Sequence, residues 1–397
     1  MINREDITVR KAVFLYGFIV IVLSLSACNQ NGSDSSSARD LIKKSDNTLP
    51  VPQIDFNPEQ YVCYQTGQPL NIDGKLDENV WAKALWTNEF VDIEGGLKPV
   101  PYLKTRVKML WDDNYFYCAA EMEEPHVWAK LKKRDAVIYH DNDFEVFIDP
   151  DGDTHEYYEL EVNALNTQWD LFLGKPYRDG GPAINAWDIQ GLKTAISING
   201  TLNNPKDVDR GWLIEIAIPW EVLKQCAHKD APPSDGDQWR VNFSRVQWQT
   251  EIKNGKYIKT KDSLSGDNLP ENNWVWSPQG LIAMHYPEMW GIVQFSASIA
   301  GSGVAVFSFD VDEEAKWELR KLYYAQRTFN MQYGFFAENI EELNLKNPDL
   351  PDYQWPPVIK TTASFFEARI SRTDETGFLC ISHDGDIWFE NITQTRK

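Results

Sequence analysis

Between residues 106 and 295, apolar positions recur in short runs, many alternating with polar ones: RVKMLW, YFYCAAEM, FEVFID, YYELEVNA, WDLFL, TAISING, GWLIEIAIPW, WRVNFSRVQW and WGIVQF. Side chains on a strand point to opposite faces in turn, so this pattern predicts strands with one face toward a core. Turn formers separate the runs. Asp112-Asp113-Asn114 predicts a hairpin, and Asp149-Pro150-Asp151-Gly152-Asp153 closes another strand. So many short strands bury their inner faces only by stacking two sheets or closing a barrel, and the default is an all-β, two-sheet antiparallel sandwich. Helical pattern is scarce here: residues 78–85 and 220–226 each allow a turn or two.

The texture changes after Phe295. Residues 296–303 are small, and DEEAKWELRKLYYAQRTFNMQYG follows, with Ala315, Leu319, Leu322, Tyr323 and Phe329 near helical spacing. Acids crowd its start and Gly334 is placed to end it, which predicts a helix. The Pro-rich PDLPDYQWPP, residues 365–370 and 378–382, the Asp384-Gly385 turn and residues 387–389 complete a small helix-plus-hairpin extension. The predicted organisation is a sandwich over 51–297 and an α+β extension over 298–397.

The N-terminus bears on compartment. Arg4, Arg10 and Lys11 precede an apolar run over 12–25 that ends in Leu25-Ser26-Ala27-Cys28. The run is too short to span a bilayer, and small residues before a cysteine suit a lipoprotein signal peptide over 1–27. Cys28 then becomes the lipidated first residue of a cell-envelope protein, expected at the outer membrane on its periplasmic or exposed side. The alternative is an ordinary signal peptide with an incidental cysteine. Residues 28–50 are polar and read as a flexible tether.

Cys63, Cys118, Cys226 and Cys380 lack the close pairs of zinc sites. An oxidising compartment permits disulfides among them, while Cys118, inside a strand pattern, also reads as a buried small hydrophobe. A net charge of −20 and a pI near 4.7 exclude nucleic acid as a partner and favour a neutral or cationic one. Sixteen Trp and sixteen Tyr supply flat apolar rings of the kind that stack on sugar C–H faces.

The order of motifs carries a resemblance. IDGKLDENVW, VKMLWDDNYFYCAAEMEEP, DNDFEVFIDPDGD, YYELEVNALNTQWD and GWLIEIAIPWEVL resemble family 9 carbohydrate-binding modules. GDQWRVNFSRVQW and NWVWSPQGLIAMHYPEMWGIVQF resemble the lipoprotein branch of that family. The match covers about residues 71–295. It implies a β-sandwich that binds polysaccharide or oligosaccharide, structural calcium, and association with glycoside hydrolases in polysaccharide degradation. Family members that grip sugar ends use two Trp rings. Here the first place falls at Tyr139 and the second near Met284 and His285, so the two-tryptophan clamp is not preserved.

Other residues are candidates to replace it. The loop over 170–188 brings Tyr177, Arg178 and Trp187 into a Gly/Pro-rich segment, and Trp169 lies just before it. Tyr139, Trp169, Tyr177 and Trp187 are either ligand platforms or rim packing. Arg178 either forks onto hydroxyls or forms a surface ion pair. His140 and His285 flank the same rim as hydrogen-bonding or merely solvated imidazoles. Asn163 and Asn166 either present amides to a ligand or hold a loop backbone. Trp81, Trp111, Trp212, Trp220 and Trp290 read as scaffold. Asp149, Asp151 and Asp153 crowd one turn, which is either a calcium site or a solvated acidic turn. Asp143, Glu145, Glu159 and Glu161 would be the acids of a glycosidase, the competing enzymatic reading, but strand alternation makes them ordinary outward residues. An envelope scaffold that docks other envelope proteins is the third reading.

Overall fold

The computed structural model describes residues 48–392, so the signal segment, Cys28 and most of the tether lie outside the described residues. Strand β1 (Gln60–Gln65) and the short β2 (Val91–Asp92) precede the hairpin of β3 (Thr105–Trp111) and β4 (Tyr115–Glu123). Its turn is where the sequence put it: Asp112 Oδ1 accepts from the N–H groups of Asn114 (2.7 Å) and Tyr115 (2.8 Å). Next come β5 (Asp143–Asp149), β6 (Tyr157–Asn163), β7 (Gln168–Leu173), β8 (Ala183–Ile184), β9 (Lys193–Asn199) and β10 (Gly211–Pro219). A single helical turn, α1 (Trp220–Leu223), leads to β11 (Gln238–Gln247), the hairpin β12 (Thr250–Lys253) and β13 (Lys256–Lys259), then β14 (Asn272–Val275) and β15 (Gly291–Ile299).

These strands form two layers. One runs β8-β7-β6-β5-β11 and continues through β14 to β2; the other runs β15-β1-β3-β4-β10-β9. Strand β11 joins them, its first half pairing with β15 and its second half with β14. One continuous ladder thus folds over on itself into the expected sandwich. Pairing is antiparallel except at β1, which runs parallel to both β15 and β3. The main core lies between the layers and is built by alternate residues: Val107, Met109, Phe116, Cys118, Ile214 and Ile216 face Phe144, Val146, Leu160, Val162, Val241 and Phe243. Trp81, Trp111, Trp212, Trp220 and Trp290 are all buried, as scaffold residues should be. Among the described residues, Cys63, Cys118, Cys226 and Cys380 are free thiols.

Glu215 explains why two distant motifs travel together. Buried on β10, it accepts from the backbone N–H groups of Asp73 (3.1 Å), Gly74 (2.7 Å) and Lys75 (3.1 Å) and from Trp81 Nε1 (3.1 Å). The IDGK turn is therefore pinned to GWLIEIAIP by one carboxylate. At the start of β15 the backbone passes close to the buried Trp276 indole, where a Cβ on Gly291 would sit 2.5 Å from Trp276 Cζ3. Gly291→Ala is expected to cost about 1–3 kcal/mol by overpacking, read as a lowered denaturation midpoint with unchanged slope.

The extension comprises α2 (Glu313–Tyr333) and the strands β16 (Tyr353–Thr361), β17 (Phe366–Arg372), β18 (Gly377–Ser382) and β19 (Ile387–Asn391). The helix ends at Gly334, left-handed at φ 80, whose N–H donates to the Asn330 carbonyl at 2.7 Å. In place of a hairpin there is a four-stranded antiparallel meander, because the Pro-rich segment itself forms β16. Proline is tolerated there because β16 is an edge strand and the ladder shifts register between Gln354 and Val358, across Pro356 and Pro357. Leu319, Leu322 and Tyr323 of α2 share one buried cluster with Ile370, Leu379 and Ile381 of the meander and with Tyr286 and Met289 of the sandwich. The extension is docked on the sandwich.

Candidate functional site

Register creates the site on the outer face of the first layer. Residues 143, 145 and 147 of β5 share a face opposite the core, and the ladder sets Glu145 against Glu161, Phe147 against Glu159, and Glu161 against Trp169. That face is half apolar, since Phe147, Tyr157, Leu171, Leu173 and Trp290 form a satellite cluster beneath the loops over 174–187 and 281–290. The other half is a groove of about 570 Å³. Its walls are Tyr139, Trp169, Tyr177 and His285; Glu145, Glu159 and Glu161 line its depth, with Glu271 and Asn273 beside them.

Three of the walls are aromatic rings that meet water. Tyr139 is 37% exposed and Tyr177 49%. Tyr139 and Trp169 stack with centroids 6.5 Å apart and planes 29° apart. The Tyr139 loop is fixed from both sides: its N–H donates to Glu161 Oε2 (2.8 Å) and its carbonyl accepts from Trp248 Nε1 (2.7 Å). Across the groove Tyr177 meets the His285 ring edge-on at 4.4 Å, and His285 Nδ1 is hydrogen-bonded to the Tyr157 hydroxyl at 2.9 Å. Burial, and then the Arg178 charge, push the His285 imidazole down to about 3, so it is neutral and acts as a hydrogen-bonding wall.

The carboxylates were misjudged from the sequence. Asp143, Glu145, Glu159 and Glu161 do point away from the core, yet the overlying loops bury all four, and each is at most 5% exposed. Burial, and then the Glu271 charge, raise Glu145 to about 7. Burial and the neighbouring Glu145 raise Asp143, Glu159 and Glu161 well above the usual carboxylate range. Ligand atoms of Asp143, Glu145 and Glu161 lie within 4.8 Å of one another. Glutamates at matching parity in FEVFID and YYELEVN were the available signal.

Three ligand candidates, Arg178, Trp187 and His140, fall outside the groove lining. The Arg178 side chain is only 7% exposed, stacks on Tyr286 at 4.2 Å, and donates to Glu288 Oε2 (3.0 Å) and the His285 carbonyl (3.2 Å). It is neither a ligand fork nor a surface ion pair, because the extension covers it. Trp187 lies apart from the groove, stacked on Tyr158 at 5.0 Å along the edge of the main core, with Nε1 donating to Gln225. His140 is exposed beside Tyr139, 4.8 Å between rings, outside the groove lining. Asn163 holds backbone, accepting from Leu165 and Thr167 N–H and donating to the Leu131 carbonyl. Asn166 sits at a left-handed turn, φ 60.

The acidic turn is a second feature, remote in kind from the groove. Asp149 accepts from Gly152 (2.9 Å) and Thr154 (3.0 Å) N–H groups and shapes the turn. Asp151 and Asp153 converge with His228, their ligand atoms within 4.8 Å of one another. Asp151 Oδ1 is buried without a partner. Burial, then the negative neighbours, push Asp151 up to about 8 and Asp153 to about 9. The extension closes over the same turn, Thr154 Oγ1 donating to the Gly385 carbonyl at 3.1 Å.

Residues 72–239 match the family model described as carbohydrate family 9 binding domain-like. This segment is similar to carbohydrate-binding domains of family 9. Over 168 residues, 42% of this chain, it is 28% identical to Exoglucanase XynX of Acetivibrio thermocellus, of which the match spans 13%. Over 249 residues, 56% of this chain, the chain is 29% identical to Endo-1,4-beta-xylanase A of Thermotoga maritima, spanning 20% of that protein. The chain thus matches only a small part of these curated relatives. A family 9 carbohydrate-binding module from Caldicellulosiruptor kristjanssonii, solved in complex with cellotriose, aligns at a TM-score of 0.38 and 16% identity, covering 62% of this chain and 99% of that one. Tyr139, inside the matched segment, and His285, C-terminal to it, at the two places where the resemblance expected tryptophans, stand on the walls of one groove.

Proposed function

We propose that the family 9-like domain holds a saccharide in this groove, as the binding part of a lipid-anchored envelope protein serving a polysaccharide-degradation system. One observation carries the reading: water-accessible rings of Tyr139, Trp169 and Tyr177 stand over a floor of hydrogen-bonding carboxylates and an amide. Rings pack on the C–H faces of a pyranose, and carboxylates accept from its hydroxyls. The anchor and envelope location rest on the Leu25-Ser26-Ala27-Cys28 pattern. A glycan array followed by calorimetry tests the reading. Tyr139→Ala and Trp169→Ala are each expected to weaken binding by about 2 kcal/mol, roughly thirty-fold, without lowering the melting temperature comparably. Binding unchanged in both variants would place the ligand elsewhere.

A second reading, glycoside hydrolysis, is favoured by the close approach of Asp143, Glu145 and Glu161. A retaining pair needs carboxyl groups about 5–5.5 Å apart, one ionised as nucleophile and one protonated. Binding is preferred because all these carboxyls are pushed the same way, upward, whereas acid and nucleophile have their proton affinities driven apart. Release of reducing sugar by the purified chain, lost on changing one of these acids, would reverse the preference.

Calcium belongs to the same proposal. The acidic turn fits a hard cation: Asp151 offers an unpartnered buried oxygen, Asp153 a second carboxylate, and their mutual repulsion is what a divalent charge relieves. His228 is 61% exposed and its Nε2 is already engaged by Glu156 Oε2 at 3.1 Å, so the oxygen donors define the site. Chelation is expected to lower the melting temperature by several degrees, and Asp151→Asn to abolish that response. An identical melting curve with chelator and with calcium counts against the site.

A further inference from the structure

We infer that the saccharide this groove selects carries a free amino group, a hexosamine unit whose ammonium sits among Glu145, Glu159 and Glu161 beneath the Tyr139, Trp169 and Tyr177 rings. The inference deepens the saccharide-binding reading and rests on it. Its ground is a mismatch of charge inside a built cavity. Four glutamates line the groove, and no Lys or Arg is among its lining residues. Cross-strand register forces Glu145 directly opposite Glu161, an arrangement that costs stability once both ionise unless a ligand cation is placed between them.

The neighbouring cations do not fill that role. Arg178 is committed to Glu288 on the far side of His285, and His285 is neutral. Lys259 Nζ lies against the Trp248 ring, 3.1 Å from its centroid. Glu159 Oε2 is buried with no hydrogen-bond partner; the nearest basic atom recorded for it, His285 Nε2, is 4.0 Å away. A neutral sugar satisfies such oxygens with hydroxyl donors and leaves these acids in the protonated forms that burial favours, whereas an ammonium supplies three donors together with the opposite charge that lets them ionise. The exposed rings add attraction for a cation over an aromatic face.

Calorimetry on the full chain would compare glucosamine oligomers, the matching N-acetylglucosamine oligomers, cello-oligomers and calcium chloride alone. The free-amine oligomer is expected to bind at least tenfold more tightly than either neutral series. That preference should shrink between low and high salt and disappear in Glu159→Gln and Glu161→Gln, whose melting curves report that they fold. Cello-oligomers or acetylated oligomers binding as tightly as the amine would overturn the inference and leave saccharide binding standing. Calcium bound tightly through Glu161, with no preference among sugars, overturns it in favour of a metal in the groove. Failure of every saccharide to bind overturns this inference and the proposed function together.

Discussion

Replacing Arg178 by alanine is expected to destabilise the protein by about 3–5 kcal/mol, the usual cost of removing one partner from a buried ion pair. The guanidinium is enclosed between Glu288, the His285 carbonyl, Tyr286 and the extension's Tyr323. Although burial opposes its ionisation, Glu288 is held below its ordinary range by Arg178 and then Arg320, so the variant leaves a carboxylate that has lost its main counter-charge. Tyr324 also donates to Glu288, and Arg327 reaches both Asp179 and the Arg178 carbonyl, so loss of Arg178 disturbs several contacts across one interface. Denaturant melts should show a lower midpoint, and limited proteolysis should release the extension from about residue 298 onward first. Saccharide binding should weaken as well, through the adjacent Tyr177 and His285 rather than a lost hydrogen bond to sugar. A variant as stable as the parent, losing only affinity, would restore Arg178 to the ligand-contact role that its loop position suggested.

Arg178 also shows where sequence reading stops. The sandwich was legible because alternation, turn chemistry and strand number are local properties that each point to the same two-layer solution. The helix was legible from spacing and its terminal glycine. What local pattern cannot state is which outer face another segment will cover. The loop over 170–188 looked solvent-facing because it is rich in Gly and Pro, but the α2 helix, distant in sequence, packs against its Arg178 and Asp179. The same blindness hid the carboxylates. Parity correctly put Glu145, Glu159 and Glu161 on the face away from the core, and only the tertiary return of the loops over 174–187 and 281–290 turned that face into an interior. Tyr139, Trp169 and Tyr177 keep part of their rings in water on the groove because an aromatic beside a turn has few neighbours to bury it. Trp187 met the same criterion and was captured by Tyr158, a partner that the sequence gives no means of seeing.

Glu161→Gln is expected to stabilise the ligand-free protein by about 1–3 kcal/mol at pH 8, while weakening whatever the groove binds. The sign follows from proton affinity. Glu145 titrates near 7 in the folded chain, and Glu161 also lies above the ordinary carboxylate range, chiefly from burial and then from the charges of Glu145 and Asp143. A carboxyl raised in the folded state favours folding while it stays protonated, below its unfolded value near 4.3, and that contribution is lost as pH climbs through the folded value. Parent and variant should therefore melt alike near pH 4 and separate progressively to pH 8, with the variant higher. The melts belong in chelator, since a bound divalent cation would neutralise Glu161 and invert the comparison. A variant less stable than the parent at pH 8 would mean that Glu161 has a positive partner in the ligand-free protein. A difference independent of pH would mean that the Glu145–Glu161 repulsion is not what the fold carries. The predicted divergence would instead identify the site as one whose stability is sacrificed for a cationic ligand, the trade expected where buried like charges await their counter-ion.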